Sequence, residues 1–347
     1  MFFASDNSGP VPSQIMEALA EANTGHAMAY GNDGWMSDLR TRLREVFEAP
    51  EADVQLVATG TAANSLALAT LSEPWQGIYC SPVAHIFEDE CNAPEFFTAG
   101  ARLVPVGTTD RIPAEALRRV MAETQEGFVH MHQRGPVSIT QVTEQGTVYT
   151  LEEIRAICGV AKSFEQPVHM DGARFANALV ALDCTPAEMT WRAGVDALSF
   201  GGTKNGCLGV EAVLFFDPKH AWEFELRRKR SGHLLSKHRY LSAQLLGYLK
   251  NDLWLDTARA ANAAAARLAE GLRKHNEIEI LYDVDANMIF FTAPRRLHAR
   301  LKRAGAVYGI TDGSPVDSGD PDARLRARLV CDWSIGSEGV DAFLSLL

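Results

Sequence analysis

The chain has 347 residues, of which 33 are basic and 44 acidic, giving a net charge of −11. Its apolar share of 46% and charged share of 22% are those of an ordinary globular protein and exclude wholesale disorder. The length suggests two domains, and an acidic chain with no Lys/Arg-rich block longer than Arg227-Arg228-Lys229-Arg230 makes a poor binder of nucleic acid or of an anionic membrane.

The first residues, Met1-Phe2-Phe3-Ala4-Ser5-Asp6, carry no basic segment followed by a long apolar one, so no secretory signal is expected there. A strand at 54–58 runs directly into a helix at 62–71. Strands follow at 78–81 and 101–106, then a helix at 114–123, a strand at 137–141 and a helix at 151–163. A short strand at 168–171 leads to a helix at 174–180, and strands at 195–200 and 210–216 close the series. These strands are short, apolar and rarely alternating, as expected of strands buried on both faces. Strand and helix in repeated alternation imply right-handed crossovers and a mainly parallel sheet, here seven-stranded with helices on both faces.

Beyond residue 218 the texture changes. Helical stretches run over 218–230 and 236–274, the second broken near Asn251, with the alanine-rich segment 258–266 a strong helix former. Strands are expected at 287–292 and 328–333, with a helix between them and another at the end. This reads as a large α/β domain over 1–250 and a small α+β domain over 251–347. No apolar run reaches the ~20 residues that would cross a bilayer. The cysteines, at 80, 91, 158, 184, 207 and 331, are scattered and form no C-x-x-C pair, which fits buried reduced thiols of a cytoplasmic protein. The basic cluster Arg227–Arg230 reads as a solvated face, with room for one phosphate. His130 and His132 have the spacing of one strand face, but no third ligand accompanies them and no metal is expected.

Ligands of open α/β sheets gather at the carboxyl ends of the strands. Three segments stand there. In Thr59-Gly60-Thr61-Ala62-Ala63-Asn64 a strand ends and a helix begins at once, so free amides and the helix dipole favour an anion such as phosphate; an ordinary capped turn reads equally well. In His169-Met170-Asp171-Gly172-Ala173-Arg174 a strand-end carboxylate precedes an arginine; the two pair with each other, or face a ring nitrogen with a guanidinium nearby. In Gly201-Gly202-Thr203-Lys204-Asn205-Gly206 glycines flank one lysine, clearing space about an ammonium that either faces solvent or serves as an amine nucleophile on an aldehyde. In this order the three describe a pyridoxal phosphate site, with Lys204 forming the Schiff base and Asp171 partnering the ring nitrogen.

Here the sequence resembles the fold-type-I pyridoxal phosphate enzymes and, among them, the low-specificity L-threonine aldolase (β-eliminating lyase) family. The resemblance spans nearly the whole chain and adds Ala4-Ser5-Asp6-Asn7, Ala29-Tyr30-Gly31-Asn32-Asp33, His85 and Arg328-Leu329-Val330 to the segments above. It implies that Gly60, Thr61 and Thr203 contact the phosphate and that His85 stacks on the cofactor ring near the substrate hydroxyl. It implies that Arg174 contacts the ring oxygen or the substrate carboxylate, that Ser5 and Arg328 hold that carboxylate, and that Lys229 reaches the phosphate across a subunit boundary. Tyr30 matches the pattern as a substrate-side residue. The same resemblance implies a homodimer or homotetramer with sites between subunits.

One departure stands out. Many members carry a second histidine in a Thr-His-Asn-Gly stretch, where this chain reads Thr143-Glu144-Gln145-Gly146, and Glu144 is either its replacement or a surface carboxylate. The reaction implied is cleavage of L-threonine, L-allo-threonine and related β-hydroxy-α-amino acids to glycine and an aldehyde, with His85 as the candidate base. The alternatives are another pyridoxal-phosphate-dependent β-eliminating lyase or an amino-acid racemase, and a non-catalytic binding protein. A nicotinamide dehydrogenase is weaker, because the G-x-G-x-x-G fingerprint is missing.

Overall fold

A computed structural model describes residues 1–347. Two helices not among those expected come first, α1 (Ser13–Ala22) and α2 (Gly34–Val46). The signal for α2 was present: the Asp33 side chain caps the Met36 amide, and Met36, Leu39 and Leu43 form the buried stripe. β1 (Asp53–Val57) then runs into α3 (Gly60–Leu71), and β2 (Gln76–Cys80) into the short α4 (His85–Glu88) and α5 (Ala93–Phe97). β3 (Arg102–Pro105) precedes α6 (Ala114–Glu123), and β4 (Gln133–Thr140) precedes α7 (Leu151–Ser163), whose start is fixed by a Thr150–Glu153 capping box. β5 (Val168–Gly172) leads to α8 (Phe175–Leu182) and α9 (Pro186–Met189), and β6 (Ala197–Gly201) and β7 (Glu211–Phe215) complete the sheet.

The strand order is β1-β7-β6-β5-β4-β2-β3, and only β7 runs against its neighbours. The carboxyl ends of β1, β2, β4, β5 and β6 therefore share one edge with the first residue of β7. Both faces are covered. Leu56, Leu198, Ala212 and Leu214 join the main core, whereas Val57, Ala197, Val213 and Phe215 point to the other side. On that second side lies α3, whose residues from Ala62 to Leu71 are all buried because α5 and α10 (Ala221–Arg230) cover its outer surface. Its alanines let it lie close against the strands, which is why the helix is apolar all round rather than amphipathic.

The remaining helices follow the expected order, but two short strands, Glu279–Ile280 and Gly309–Ile310, were not expected, and the last strand covers Arg324–Val330 instead of 328–333. α11 (Arg239–Leu249) and α12 (Leu253–Arg273) are separated at Asn251 and Asp252, both left-handed at φ 53° and 57°, so the break anticipated near Asn251 is present. β8 (Glu279–Ile280), β9 (Met288–Pro294), α13 (Arg295–Arg303), β10 (Gly309–Ile310), β11 (Arg324–Val330) and α14 (Ser337–Leu344) follow. Their antiparallel sheet has the order β10-β11-β9-β8 and its own core, which includes Phe3. Phe3 enters because its amide donates to the Val307 carbonyl and its carbonyl accepts from the Val330 amide, so the N-terminus is fastened to the small sheet. No helix is long and apolar enough to cross a membrane.

Several expectations are corrected. His130 and His132 precede β4 in a loop instead of sharing a strand face, and no group of side chains suited to a metal ion is formed. All six cysteines are free, but only Cys80, Cys158, Cys207 and Cys331 are buried, while Cys91 is exposed. The basic cluster is not a uniformly solvated face: Arg228 is buried and donates to the Leu56 carbonyl, whereas Lys229 and Arg230 are exposed.

At the centre of the sheet, His169 is wholly buried between Ser138 and Ser199, each hydroxyl 2.9 Å from one ring nitrogen. Burial lowers its pKa from 6.5 to about 4. The unfolded chain takes up this proton near pH 6.5 and the native protein only near 4, so stability falls as pH drops through that window, by roughly 3 kcal/mol for this group. In denaturant titrations at pH 7 and pH ~4, His169→Gln should lose less stability on acidification than the parent by about that amount. Equal losses would refute the assignment.

Candidate active site

At the end of β1 the Thr59 hydroxyl caps α3 by accepting from the Ala62 amide at 3.2 Å. The Gly60 and Thr61 amides have no acceptor within the chain. Nothing lies within 4 Å of where a Cβ would stand on Gly60, so this helix start opens onto free space.

One turn further along α3, Asn64 reaches the end of β5 and the segment after α4. Its side-chain amide donates to Asp171 Oδ2 at the end of β5 and to Glu90 Oε1 after α4, both at 2.9 Å. Asp171 Oδ1 accepts from the Ala173 amide at 3.0 Å. Glu90 Oε1 also pairs with His85 Nδ1 at 2.8 Å. The Glu90 side chain is 0% exposed and that of His85 29% exposed. Burial raises the pKa of Glu90, and the bond to Glu90 raises that of His85 against the opposing effect of burial, with Asp171 and Glu144 adding to the rise. His85 Nε2 has no hydrogen-bond partner within the chain.

Lys204 lies in a helical turn just after β6 and forms no hydrogen bond or ion pair within the chain. The sequence has the flanking glycines clear space about its ammonium; the structure gives the two before it a further reason to be glycine. A Cβ on Gly201 would stand 2.3 Å from the Ala173 carbonyl oxygen, and one on Gly202 2.7 Å from that of Val210, so these positions are glycine to let backbones approach. Thr203 Oγ1 accepts from the Val210 amide at 3.2 Å, and the buried Glu211 accepts from the Gly202 amide at 2.8 Å. Burial pushes the Glu211 pKa up to about 7.

Arg174 does not pair with Asp171. Its Nε and Nη2 grip Asp6 at 2.6 and 3.0 Å, and Asn287 donates to Asp6 Oδ2 at 3.0 Å. Burial opposes the Asp6 charge, but Arg174 and Lys204 outweigh it and lower the Asp6 pKa. Ser5 caps the short turn that carries Asp6 by accepting from the Asn7 amide at 3.1 Å. Arg328, on β11, is half-buried and has no hydrogen-bond partner in the chain; burial first and Arg174 second lower its pKa, with Asp6, Glu144 and Asp89 opposing.

Glu144 is not a detached surface carboxylate. It is only partly exposed, in the turn after β4, and close enough to add to the rise at His85 and Arg174 and to oppose the fall at Arg328. Tyr30 and Lys229 stand elsewhere: Tyr30 is 45% exposed, the Lys229 ammonium sits 4.9 Å above its ring, and neither side chain bonds to Lys204, Asp171 or the Gly60–Thr61 turn within this chain.

The fold thus brings Gly60, Thr61, His85, Asp171, Arg174, Thr203 and Lys204 to one edge of the large sheet, with the Ser5–Asp6 turn and Arg328 of the small sheet beside Arg174, whereas Tyr30 and Lys229 make no bond to them within this chain. It adds Asp6, Asn64, Glu90 and Asn287, which the sequence had not singled out. Asp6 and Asn64 stand inside recognisable segments, whereas Glu90 and Asn287 have no local spacing that marks them.

A family model described as β-eliminating lyase matches residues 3–294. A low specificity L-threonine aldolase of Pseudomonas aeruginosa is 39% identical over 339 residues, spanning 97% of this chain and 94% of that one. Another of that description, from a Pseudomonas species, is 39% identical over 332 residues, spanning 95% and 92%. Among solved structures, a Leishmania major threonine aldolase superposes with a TM-score of 0.91 at 24% identity, covering 99% of this chain and 98% of that one, which shows a common fold.

Proposed function

Because this chain belongs to the β-eliminating lyase family, we propose that it is a pyridoxal-phosphate-dependent aldehyde-lyase that cleaves L-threonine, L-allo-threonine and related β-hydroxy-α-amino acids to glycine and an aldehyde. The observation that carries this reading is the meeting of three groups: at one edge of the large sheet an unpaired Lys204 amine and an Asp171 carboxylate clamped by Asn64 and Ala173, and from the small sheet an Arg328 guanidinium without a partner.

The residues fit pyridoxal phosphate. The partnerless Gly60 and Thr61 amides suit its phosphate, and the open space over Gly60 admits it. Asp171 retains lone-pair capacity for a ring N–H, and Lys204 is free to meet an aldehyde. When bound, the cofactor supplies that aldehyde and a ring that accepts the electron pair released at Cα.

The chain's own residues do the rest. Asp171 holds a proton on the ring nitrogen, since a nearby anion favours the charged form. Arg328 takes the substrate carboxylate in a two-point grip and so decides which bond of Cα faces the ring. Ser5 and the free Nη1 of Arg174 stand beside it, with Asp6 fixing the arginine's orientation. His85 Nε2 accepts the proton of the β-hydroxyl as the Cα–Cβ bond breaks and the aldehyde leaves. A proton returned to Cα leaves glycine. We place Tyr30 and Lys229 at a boundary between copies in a homodimer or homotetramer, where they would serve the partner copy's site; within one chain they pair with each other. Six free thiols fit a cytoplasmic setting.

The test is incubation of pyridoxal-phosphate-loaded protein with the four threonine stereoisomers. Acetaldehyde and glycine should appear in equal amounts from the L-isomers. 2-Oxobutanoate and ammonia would point instead to β-elimination, and the Cα epimer alone (D-allo-threonine from L-threonine) to a racemase.

A further inference from the structure

One buried side chain outside the expected set, Glu90, touches the site directly. Its carboxylate is wholly buried, yet its only partners are His85 and Asn64, both converging on Oε1, while Oε2 has none. A buried carboxylate with one oxygen orphaned is costly, so its retention calls for a role. An ionised Glu90 can only accept, so it requires the hydrogen of His85 to stand on Nδ1. That leaves the lone pair of the neutral ring on Nε2, the nitrogen with no partner in the chain. The Asn64 amide, having two N–H groups, straps this carboxylate to Asp171 with equal 2.9 Å bonds.

We propose that Glu90 is a positioning residue that fixes the proton-free face of His85 toward the substrate, and that Asn64 locks this pair to Asp171 so that base and ring-nitrogen partner move as one unit. The proposal rests on the aldolase reading above and deepens it. The charged groups facing His85 are Glu90 on its own loop, Asp171 at the end of β5 and Glu144 after β4, all acidic. Each stabilises the imidazolium, and Glu90 does so most through its hydrogen bond. Replacing Glu90 by the isosteric glutamine keeps an acceptor for Nδ1–H and removes the charge.

The experiment reads ¹⁵N imidazole shifts of cofactor-free protein against pH, with His85→Gln assigning the resonance. The parent should show the Nδ1–H tautomer at high pH, and Glu90→Gln should titrate at lower pH than the parent. In the loaded enzyme the rising limb of kcat/KM against pH, which follows deprotonation of His85, should move to lower pH. Its plateau should fall about 10²-fold, the low end of what positioned acid–base help contributes. Glu88→Gln, on the exposed side of the same loop, should leave both readings unchanged.

An Nε2–H tautomer in the parent would overturn the proposal. So would a Glu90→Gln protein whose activity falls while His85 titration and the pH limb stay put, which is the signature of packing alone. Should Glu90→Gln fail to fold, the parent tautomer and Glu90→Asp, which withdraws the carboxylate by one methylene, give the same decision. Absence of aldehyde release from the parent would fall on the functional reading alone, since the tautomer is read without cofactor.

Discussion

Lys204→Ala should lose turnover to the assay floor, a fall in kcat/KM of at least about 10³-fold, the scale on which loss of a covalent-catalysis residue registers. The lysine stands in a turn whose backbone is held from three sides. Ala173 and Val210 press on Gly201 and Gly202, and Glu211 accepts from the Gly202 amide. Gly206 closes the turn at φ 127°, where a side chain would be strained. Shortening residue 204 therefore removes the amine without loosening the turn, and the fold should survive. The decisive measurement is borohydride reduction of pyridoxal-phosphate-loaded protein followed by mass spectrometry. The parent should retain cofactor covalently at Lys204 and the variant should not. Equal covalent retention would remove Lys204 from its assigned place, whatever the activity.

Arg328→Ala should lower kcat/KM by about 10²–10³-fold while bound cofactor, measured by absorbance, stays at the parent level. Hydrogen bonds to charged groups contribute about 1.5–3 kcal/mol each, and every ~1.4 kcal/mol is tenfold in rate. Two such bonds to a carboxylate, discounted for non-additivity, give that range. The loss should not be confined to KM, because the same grip sets which Cα bond is cleaved. Arg328→Lys should recover little, since a point ammonium cannot reproduce the planar fork. An unchanged kcat/KM in the alanine variant would end the carboxylate role. The structural ground for the prediction is that Arg174, the other guanidinium nearby, already spends two nitrogens on Asp6, whereas Arg328 spends none.

The strand–helix alternation from residue 53 to 215 was legible because its strands are apolar runs bounded by turns and its helices carry caps or glycine-free periodicity. The helix break at Asn251 was legible as well. The first helices were overlooked although α2 carries a cap and a stripe, and the entry of Phe3 into the small sheet has no local signal at all, since it depends on edge hydrogen bonds to Val307 and Val330. The same division runs through the site. Lys204, Asp171 and the Gly60–Thr61 turn sit at strand ends that the pattern of elements places on one edge. Their partners do not follow from spacing.

Sequence by itself determined the class of chemistry: a phosphate-suited helix start, a strand-end carboxylate and a glycine-flanked lysine, in an order that few sites share. It also indicated that a net charge of −11 leaves room for a cationic pocket, because composition sums over the chain while Lys204, Arg174 and Arg328 act locally. Only the tertiary structure decided who pairs with whom. Arg174 turned out to hold Asp6, 168 residues away, and Asp171 to be held by Asn64, 107 residues away, with Glu90 tied into the same amide. Hydrogen bonds act over about 3 Å of space. Which side chains come within that reach depends on how strands are ordered in the sheet, and that order is set by packing of the whole core rather than by any local run of residues.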